Sequence, residues 1–359
     1  MMIIRRILVW PAGLVWLASC SLGAPDIQTL CLRDDIGNYI IKWETNPPLQ
    51  GTMKLYVSDV PGAFNKSRPV GYSPVGEGIT KYVTGDNITR KYFLLCFNDQ
   101  YVETAASRLV AMDSVQNFRD LGGYVSARSK KEISWGKVFR SGRIGALSPR
   151  DSVKLTNLKI KTIIDLRSEE EQAAEPVGYT KAKIIHIPVS TGKLPEILAR
   201  ISKERIRKGD GVVFMQDLYI QYVEENKEQF ARALAVFEDT SNYPIAFSCS
   251  LGKDPAGFLT ALLLAALDIP EEVILNDYLA TNDFLDLTRF NARVQRLNSD
   301  AQETLTVILT ANAMYLDLAF RKIKKDYGSI KEYLINELHL SESRQNKLKE
   351  MLLSKIDLK

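Results

Sequence analysis

The spacing of hydrophobic and polar residues changes character once along the chain. In the first part, short runs alternate with a period of two, as in residues 39–43, 53–57 and 91–97. A period of two is typical of a β-strand that buries one face. Turn-forming residues such as the Asn46-Pro47-Pro48 segment separate the runs. The pattern predicts an all-β sandwich over residues 25–112.

Trp43 lies at the end of one predicted strand, just before the Asn46-Pro47-Pro48 turn. This strand resembles the second strand of a fibronectin type III domain, and the resemblance implies an immunoglobulin/fibronectin-III-like sandwich. We interpret Trp43 itself as a core aromatic residue rather than as part of a ligand site.

From residue 113 onward, short apolar runs alternate with helical patterns. Residues 160–166 and 184–189 are predicted strands, and residues 213–237 and 256–267 are predicted helices. Such alternation predicts an α/β domain over residues 113–353, with a parallel-type central sheet flanked by helices.

Capping residues mark two helix starts in this second part. Ser148 is a predicted N-cap with Pro149 at the first helical position, and Ser168 with Glu171 forms a capping-box pattern. Residues 191–212 are polar and basic, and we expect them to form a mobile loop or lid.

Composition excludes some classes of function. The 359 residues carry a formal net charge of only +4, and the basic residues are spread along the chain, so nucleic-acid binding is not expected. The two histidines are far apart and no metal-ligand spacing occurs. We therefore predict no metal site and no cofactor.

The N-terminus carries an export signal. Arg5 and Arg6 precede an apolar stretch over residues 7–17, which is too short to span a membrane comfortably. Cys20 ends the signal, and the 1–20 segment resembles a bacterial lipoprotein signal peptide whose cysteine becomes lipidated. This predicts an exported, membrane-anchored lipoprotein of the bacterial cell envelope, facing the periplasm or the surface. The alternative is an ordinary cleaved signal.

Three cysteines remain after the signal. Cys31 and Cys96 lie in the same predicted domain, so they form either a disulfide or two buried free thiols. Cys249 has no evident partner, and a lone thiol in an exported protein is a candidate reactive site.

The strongest candidate for chemistry is the segment around Cys249. An apolar strand ends at Ser248, and the cysteine is followed by a glycine-containing turn and a helix. Backbone N–H groups at a helix N-terminus stabilise a thiolate and bind phosphate oxygens, so we expect the pKa of Cys249 to be lowered. Asp254 is either a proton donor or a helix cap, and Lys253 adds positive charge.

This loop is similar to the Cys-Xaa-Xaa-Gly-Lys-Asp-Arg-Thr/Ala-Gly loop of the bacterial tyrosine/serine protein phosphatases, a family of cysteine-dependent phosphatases. Other blocks also resemble that family, and together the likeness covers about 113–353. These blocks are residues 117–124, 139–142 with Leu147, 163–168, 277–279, 327–329 and 333–334.

The resemblance implies hydrolysis of a phosphorylated protein or a small phosphomonoester through a thiophosphate on Cys249. It implies Asp254 as the proton donor and Asp165 as a second acidic candidate, for which the alternative is a salt bridge with Arg167. The implied phosphate-binding residues are Ser250, Leu251, Gly252, Lys253, Ala256 and Gly257.

The sequence departs from the family pattern at the chemistry. Ser248 replaces a histidine, Pro255 replaces the phosphate-binding arginine, and Ala256 stands where relatives have threonine. A guanidinium binds two phosphate oxygens at once, and losing one such donor slows catalysis about 100- to 1,000-fold. Proline suits the first turn of a helix, so the fold tolerates it.

Two main hypotheses follow. In the first, the chain is a phosphatase with a weakened rate. In the second, it is a pseudophosphatase that binds phosphorylated ligands or proteins without turnover. A third hypothesis is an adhesion or scaffold protein whose function lies in the β-sandwich. A separate question is whether another cation replaces the missing arginine. The candidates are Lys253, Arg119, Arg140, Arg143 and Arg167, and the sequence alone does not place them.

Overall fold

The computed structural model describes residues 24–34, 36–288 and 294–355. The predicted signal peptide and Cys20 lie outside the described residues. Within those three ranges, no helix combines the length and the hydrophobicity needed to cross a bilayer.

The first domain is a sandwich of two antiparallel sheets, as predicted. Strands β1, β2 and β5 form one sheet in that order, and the other has the order β4-β3-β6-β7. Aromatic and aliphatic side chains from both sheets fill the space between them. The strands are β1 Asp26–Arg33, β2 Tyr39–Asn46, β3 Thr52–Ser58, β4 Gly71–Pro74, β5 Ile79–Tyr82, β6 Tyr92–Phe97 and β7 Tyr101–Ala106.

Trp43 is a core residue of the sandwich, as predicted from the sequence. Its side chain is buried, its indole N–H donates to the Val75 carbonyl at 2.8 Å, and its ring packs on Phe97.

Cys31 and Cys96 are both free. They cannot pair readily because Cys31 lies in the core between the sheets, whereas Cys96 belongs to a separate cluster with Tyr56. The free-thiol alternative is therefore the correct one.

The second domain is built on a five-stranded sheet in the order β12-β11-β13-β10-β8. Its first four strands are mutually parallel, and β8 is antiparallel to β10. A two-stranded pair, β9 with β14, lies beside the sheet. The strands are β8 Arg119–Asp120, β9 Glu132–Ile133, β10 Val138–Ser141, β11 Thr162–Asp165, β12 Lys183–His186, β13 Ile245–Ser248 and β14 Leu353–Ser354.

Helices flank this sheet, which confirms the α/β prediction. The most deeply buried is α6, in which every residue except Ala265 is buried. The helices are α1 Pro149–Asn157, α2 Glu169–Ala174, α3 Leu194–Ser202, α4 Asp210–Glu224, α5 Lys227–Val236, α6 Pro255–Ala266, α7 Glu271–Leu279, α8 Thr281–Phe284, α9 Ser299–Leu309, α10 Ala313–Tyr327, α11 Ile330–Asn336 and α12 Glu342–Leu352.

Both predicted helix starts are present. The Ser148 hydroxyl accepts from the Asp151 amide, and Ser168 and Glu171 form a complete capping box. The prediction of a single helix over 213–237 is wrong, because the helix is interrupted around Asn226, which separates α4 from α5.

The segment predicted as a loop over 191–212 contains helix α3. Ile197 and Ile201, four residues apart on one face of this helix, are both buried in the main core. The buried face of α3 consists of only these two residues, and the surrounding segment is mostly polar and basic. The sequence pattern therefore did not predict the helix. The mobility of this segment stays a prediction.

Candidate active site

Cys249 follows β13, a strand of the central sheet that lies between β10 and β11. Helix α6 begins six residues after the cysteine, with Pro255 at its first position. The carboxyl ends of parallel strands form the usual ligand-binding edge of an α/β sheet. The predicted order of strand, cysteine, turn and helix is therefore confirmed.

The turn of the loop depends on Gly252. Its φ of +68° lies in the left-handed region, and a Cβ there would approach the Ser141 carbonyl carbon to 2.4 Å. Its carbonyl accepts hydrogen bonds from Arg140 Nη2 at 2.8 Å and from Asn117 Nδ2 at 3.1 Å. Because these donors hold the carbonyl, the amides of the loop are free to face the cysteine.

The amides of Gly252 and Ala256 donate to the Cys249 sulfur, and both interactions lower the pKa of the thiol. Burial is the larger effect, and the Asp254 charge acts in the same direction, so the pKa of Cys249 is raised above its ordinary value. The expectation of a lowered pKa is therefore wrong. Only 4% of the cysteine is exposed, and too little positive charge faces the sulfur to offset its desolvation.

Asp254 belongs to a hydrogen-bonded chain with two tyrosines. Its Oδ1 accepts from the Tyr219 hydroxyl at 3.0 Å, and the Tyr219 and Tyr278 hydroxyls are 2.8 Å apart. Burial raises the pKa of Asp254, which favours the protonated form that a proton donor needs. Asp254 occupies the N-cap position of α6, as the alternative predicted, but its carboxylate makes no capping hydrogen bond to the helix.

Lys253 binds backbone carbonyls of a distant segment. Its buried Nζ donates to the Ile308 carbonyl and, at 3.1 Å, to the Thr310 carbonyl, at the C-terminal end of α9. It also lies 3.6 Å from Asp254 Oδ1. Burial lowers the pKa of this lysine. Lys253 therefore tethers the loop to the helical layer.

Two of the candidate replacement arginines lie behind the loop. Arg119 and Arg140 are fully buried and share Asp277, with closest ion-pair distances of 3.4 and 2.6 Å. Arg140 also donates to the Gly252 carbonyl, on the side of the loop opposite to its amides. Both residues thus support the loop backbone.

The remaining two arginines also have carboxylate partners. Arg167 pairs with Asp165 at 2.7 Å, and Arg143 lies 3.3 Å from Glu175 with 62% of its side chain exposed. The Arg143 amide donates to the Ser250 carbonyl, which places this residue beside the loop.

Asp165 ends β11 and aligns with Ser248 in the sheet. The Arg167 Nε and Nη2 atoms and the Arg167 amide all donate to its carboxylate. The salt-bridge alternative is therefore the one that the structure shows, and the predicted catalytic role of Asp165 has no supporting contact with the cysteine.

Sequence reasoning missed several polar groups near the loop. Glu171 was recognised only as a capping residue, yet its Oε1 also accepts from the Ser250 hydroxyl at 2.5 Å. The hydroxyls of Ser141, Ser248 and Tyr222 are buried without a hydrogen-bond partner among the described residues. Tyr222 lies near the C-terminal end of α4, 27 residues before Cys249, and only the fold brings the two together.

The residues that the structure describes contain no group of three or more histidine, cysteine or acidic side chains suited to a metal ion. The arrangement instead offers a sulfur nucleophile, converging backbone amides and a nearby carboxyl group. These are the parts of a site for acyl or phosphoryl transfer through a covalent cysteine intermediate.

The parallel sheet, the cysteine at its edge and the helix behind it are the arrangement of cysteine-dependent phosphatases. The sequence profile of the tyrosine phosphatase family matches residues 110–354, and the chain belongs to that family. The sandwich strands, which end at Ala106, lie outside the matched region.

The chain is similar to two bacterial proteins over most of this region. A Cupriavidus necator protein, named provisionally as a tyrosine-protein phosphatase, is 29% identical over 64% of this chain and 84% of its own length. The triple specificity protein phosphatase PtpB of Mycobacterium tuberculosis is 27% identical over 66% of this chain and 96% of its own.

Among solved structures, the catalytic core of the phosphatase SIW14 of S. cerevisiae aligns with 55% of this chain and 94% of its own. The sequence identity is 15% and the TM-score 0.30. A likeness at that level carries no argument about activity, and the family assignment rests on the sequence match.

Proposed function

We propose that this protein is an envelope lipoprotein that hydrolyses phosphate monoesters through Cys249, at a rate weakened by Pro255. The observation that carries the proposal is a cysteine whose sulfur accepts from two backbone amides, with a buried carboxyl group five residues further along the same loop. Gly252 and Ala256 supply the amides, and Asp254 supplies the carboxyl group.

The chemistry follows from these three groups. The Cys249 thiolate attacks phosphorus, an S–P bond forms, and the P–O ester bond breaks. Protonated Asp254 gives its proton to the leaving oxygen. Water then attacks the phosphorus, Asp254 takes a proton from that water, and the S–P bond breaks to release phosphate and the thiolate.

The expected substrates are phosphorylated proteins or small phosphomonoesters. Family membership and the likeness to a triple specificity protein phosphatase support this choice.

Lipidation of Cys20 would hold the enzyme at a membrane of the cell envelope, as the sequence predicts. We also retain the fibronectin-III-like assignment of the sandwich as part of the proposal.

The weak rate follows from the charges around the loop. Pro255 supplies neither a guanidinium nor an N–H, and Lys253 is committed to carbonyls of another segment. The dianionic phosphate would then be held mainly by neutral amides. Removing one preorganised donor costs about 100- to 1,000-fold in rate.

A second candidate is a pseudophosphatase that binds phosphorylated ligands or proteins. The raised pKa of the Cys249 thiol favours it, because little thiolate forms at neutral pH. The burial of four of the five candidate cations in contacts with other partners favours it as well; these four are Lys253, Arg119, Arg140 and Arg167.

The test uses full-length protein purified in detergent, with p-nitrophenyl phosphate and a phosphotyrosine peptide as substrates. We expect slow turnover that Cys249→Ser abolishes and that Cys96→Ser leaves unchanged. Turnover equal in wild type and Cys249→Ser would exclude the proposed mechanism. Peptide binding without turnover would establish the pseudophosphatase instead.

A further inference from the structure

A cavity lies where the sandwich meets the phosphatase domain, away from Cys249. We propose that this junction cavity binds a small ligand with an apolar body and an anionic group. The inference is independent of the proposed function, because none of the residues involved takes part in the chemistry at the cysteine.

Apolar and aromatic side chains from both domains form its walls. The volume is about 260 Å³, and because an apolar cavity of roughly 150 Å³ is already able to bind benzene, a compact ring system fits. Val60, Pro61 and Tyr92 come from the sandwich, whereas Trp135 and Tyr243 come from the phosphatase domain. A ligand in the cavity therefore contacts both domains at once.

The charged side chains around the cavity are mostly positive. Five cations line it against a single carboxylate, that of Asp59. Asp59 is 2.7 Å from the Nζ of Lys91, so its charge is already paired. The cations are Arg33, Arg90, Lys137, Lys154 and Lys159.

Most of these cations are not neutralised by carboxylates. Arg33 donates to the Gly37 and Asp86 carbonyls, and Lys154 Nζ donates to the Ala111 carbonyl at 2.6 Å. In the part of the chain that the structure describes, neither Lys137 nor Lys159 forms an ion pair; both residues are exposed.

Arg90 adds an unsatisfied donor. It is buried, with one nitrogen 2.5 Å from Asp120 and another bonded to the Ser107 carbonyl. Its Nε has no hydrogen-bond partner among the described residues. A buried donor without a partner costs stability, and an anionic ligand oxygen or an ordered water in the cavity satisfies it.

These features together define the ligand class. Aromatic and aliphatic walls select a flat apolar body, and the unpaired cations select a carboxylate, sulfonate or phosphate group. Because Pro244 lines the cavity and immediately precedes β13, an occupied cavity also contacts the strand that carries Cys249.

The test is calorimetric titration of the full-length protein with 2-naphthalenesulfonate, which combines a flat apolar body with one anionic group. We expect the double variant Lys137→Met/Lys159→Met to weaken binding about tenfold or more, because it removes two positive charges that attract the sulfonate. The control Lys42→Met/Lys81→Met removes two exposed sandwich lysines that do not line the cavity, and we expect it to bind like wild type.

Trp135 fluorescence locates the bound probe. We expect 2-naphthalenesulfonate to change the emission of wild type and of Cys249→Ser alike, and we expect Trp135→Phe to lose most of that change. No binding to wild type, equal affinity in both lysine double variants, or loss of binding in Cys249→Ser would each overturn the proposal.

Discussion

At the scale of single residues, Pro255 is the position at which the proposed mechanism is tested most sharply. It starts α6, and the amides of Gly252 and Ala256 donate to the Cys249 sulfur. Burial raises the pKa of the thiol, and neither these amides nor the Arg140 charge offsets it.

The substitution Pro255→Arg should restore the missing clamp. We expect kcat/KM for p-nitrophenyl phosphate to rise about 100- to 1,000-fold, because a guanidinium stabilises charge in the transition state. Steady-state kinetics measure the effect, and Pro270→Arg, at the start of α7, is the matched control. An unchanged rate in a folded Pro255→Arg protein would place the defect elsewhere in the loop.

Tyr219 should set the protonation of Asp254. Its hydroxyl donates to the carboxylate and thereby lowers the pKa that burial raises. Tyr219→Phe removes this stabilisation of the charged form, so the pKa of Asp254 rises further. In the pH profile of kcat/KM, the limb set by Asp254 is the one that Asp254→Asn abolishes. We expect that limb to lie at higher pH in Tyr219→Phe than in wild type.

The control for that profile is Tyr222→Phe, because the Tyr222 hydroxyl has no hydrogen-bond partner among the described residues. We expect it to leave the Asp254 limb in place. A Tyr219→Phe profile that matches wild type, or a shift to lower pH, contradicts the assigned role.

At the scale of elements, the loop is held from behind by two independent tethers. Arg140 donates to the Gly252 carbonyl, and Lys253 donates to carbonyls at the C-terminal end of α9. Two of the five candidate cations are therefore part of the scaffold that holds the loop.

Lys253→Met tests the second tether. The variant leaves the Ile308 and Thr310 carbonyls without their donor, and we expect a loss of about 1–3 kcal/mol in unfolding free energy. Urea denaturation measures it, with the exposed Lys203→Met as the control. Equal stability of Lys253→Met and wild type would mean that the tether contributes nothing.

The sequence predicted many of the elements but few of the long-range partners of charged residues. Local signals predicted the sandwich strands, the caps at Ser148 and Ser168, and the loop between β13 and α6. The salt bridge of Asp165 with Arg167 was an open alternative because the two residues are neighbours in the sequence. The roles of Lys253 and Glu171 depend on contacts between distant segments, those of Lys253 with Ile308 and of Glu171 with Ser250. Local patterns carry no information on such contacts, and they also missed helix α3 and the interruption at Asn226.

At the scale of the whole molecule, the two domains share a buried polar junction. Arg90 of the sandwich pairs with Asp120 of the phosphatase domain, and the Trp135 indole donates to the Thr104 hydroxyl at 3.2 Å. Two acidic residues, Glu103 and Glu132, lie in the same region. The junction should therefore respond to pH.

Glu103→Gln tests that response. Burial, with the Glu132 charge, raises the pKa of Glu103 to about 8, so ionisation of this residue costs stability. A raised carboxyl pKa makes the fold more stable at low pH, and stability falls as pH rises from about 4.5 toward 8. We expect Glu103→Gln to raise Tm by several degrees at pH 9.

At pH 5 the variant and wild type should melt together, because Glu103 is then neutral. The exposed Glu77→Gln is the control and should not differ from wild type at either pH. A Glu103→Gln protein that is no more stable than wild type at pH 9 contradicts the assignment.

The most direct measurement of the central claim is the capture of phosphoryl groups on Cys249. Full-length wild type and Asp254→Asn are mixed with p-nitrophenyl phosphate, quenched in acid and analysed by peptide mass spectrometry. We predict a phosphoryl group on the peptide that contains Cys249. More of it should accumulate in Asp254→Asn, because p-nitrophenolate leaves without a proton donor whereas hydrolysis of the intermediate needs Asp254 as the base. An unmodified Cys249 in both proteins, while Pro255→Arg becomes labelled, would show that the natural loop performs no chemistry.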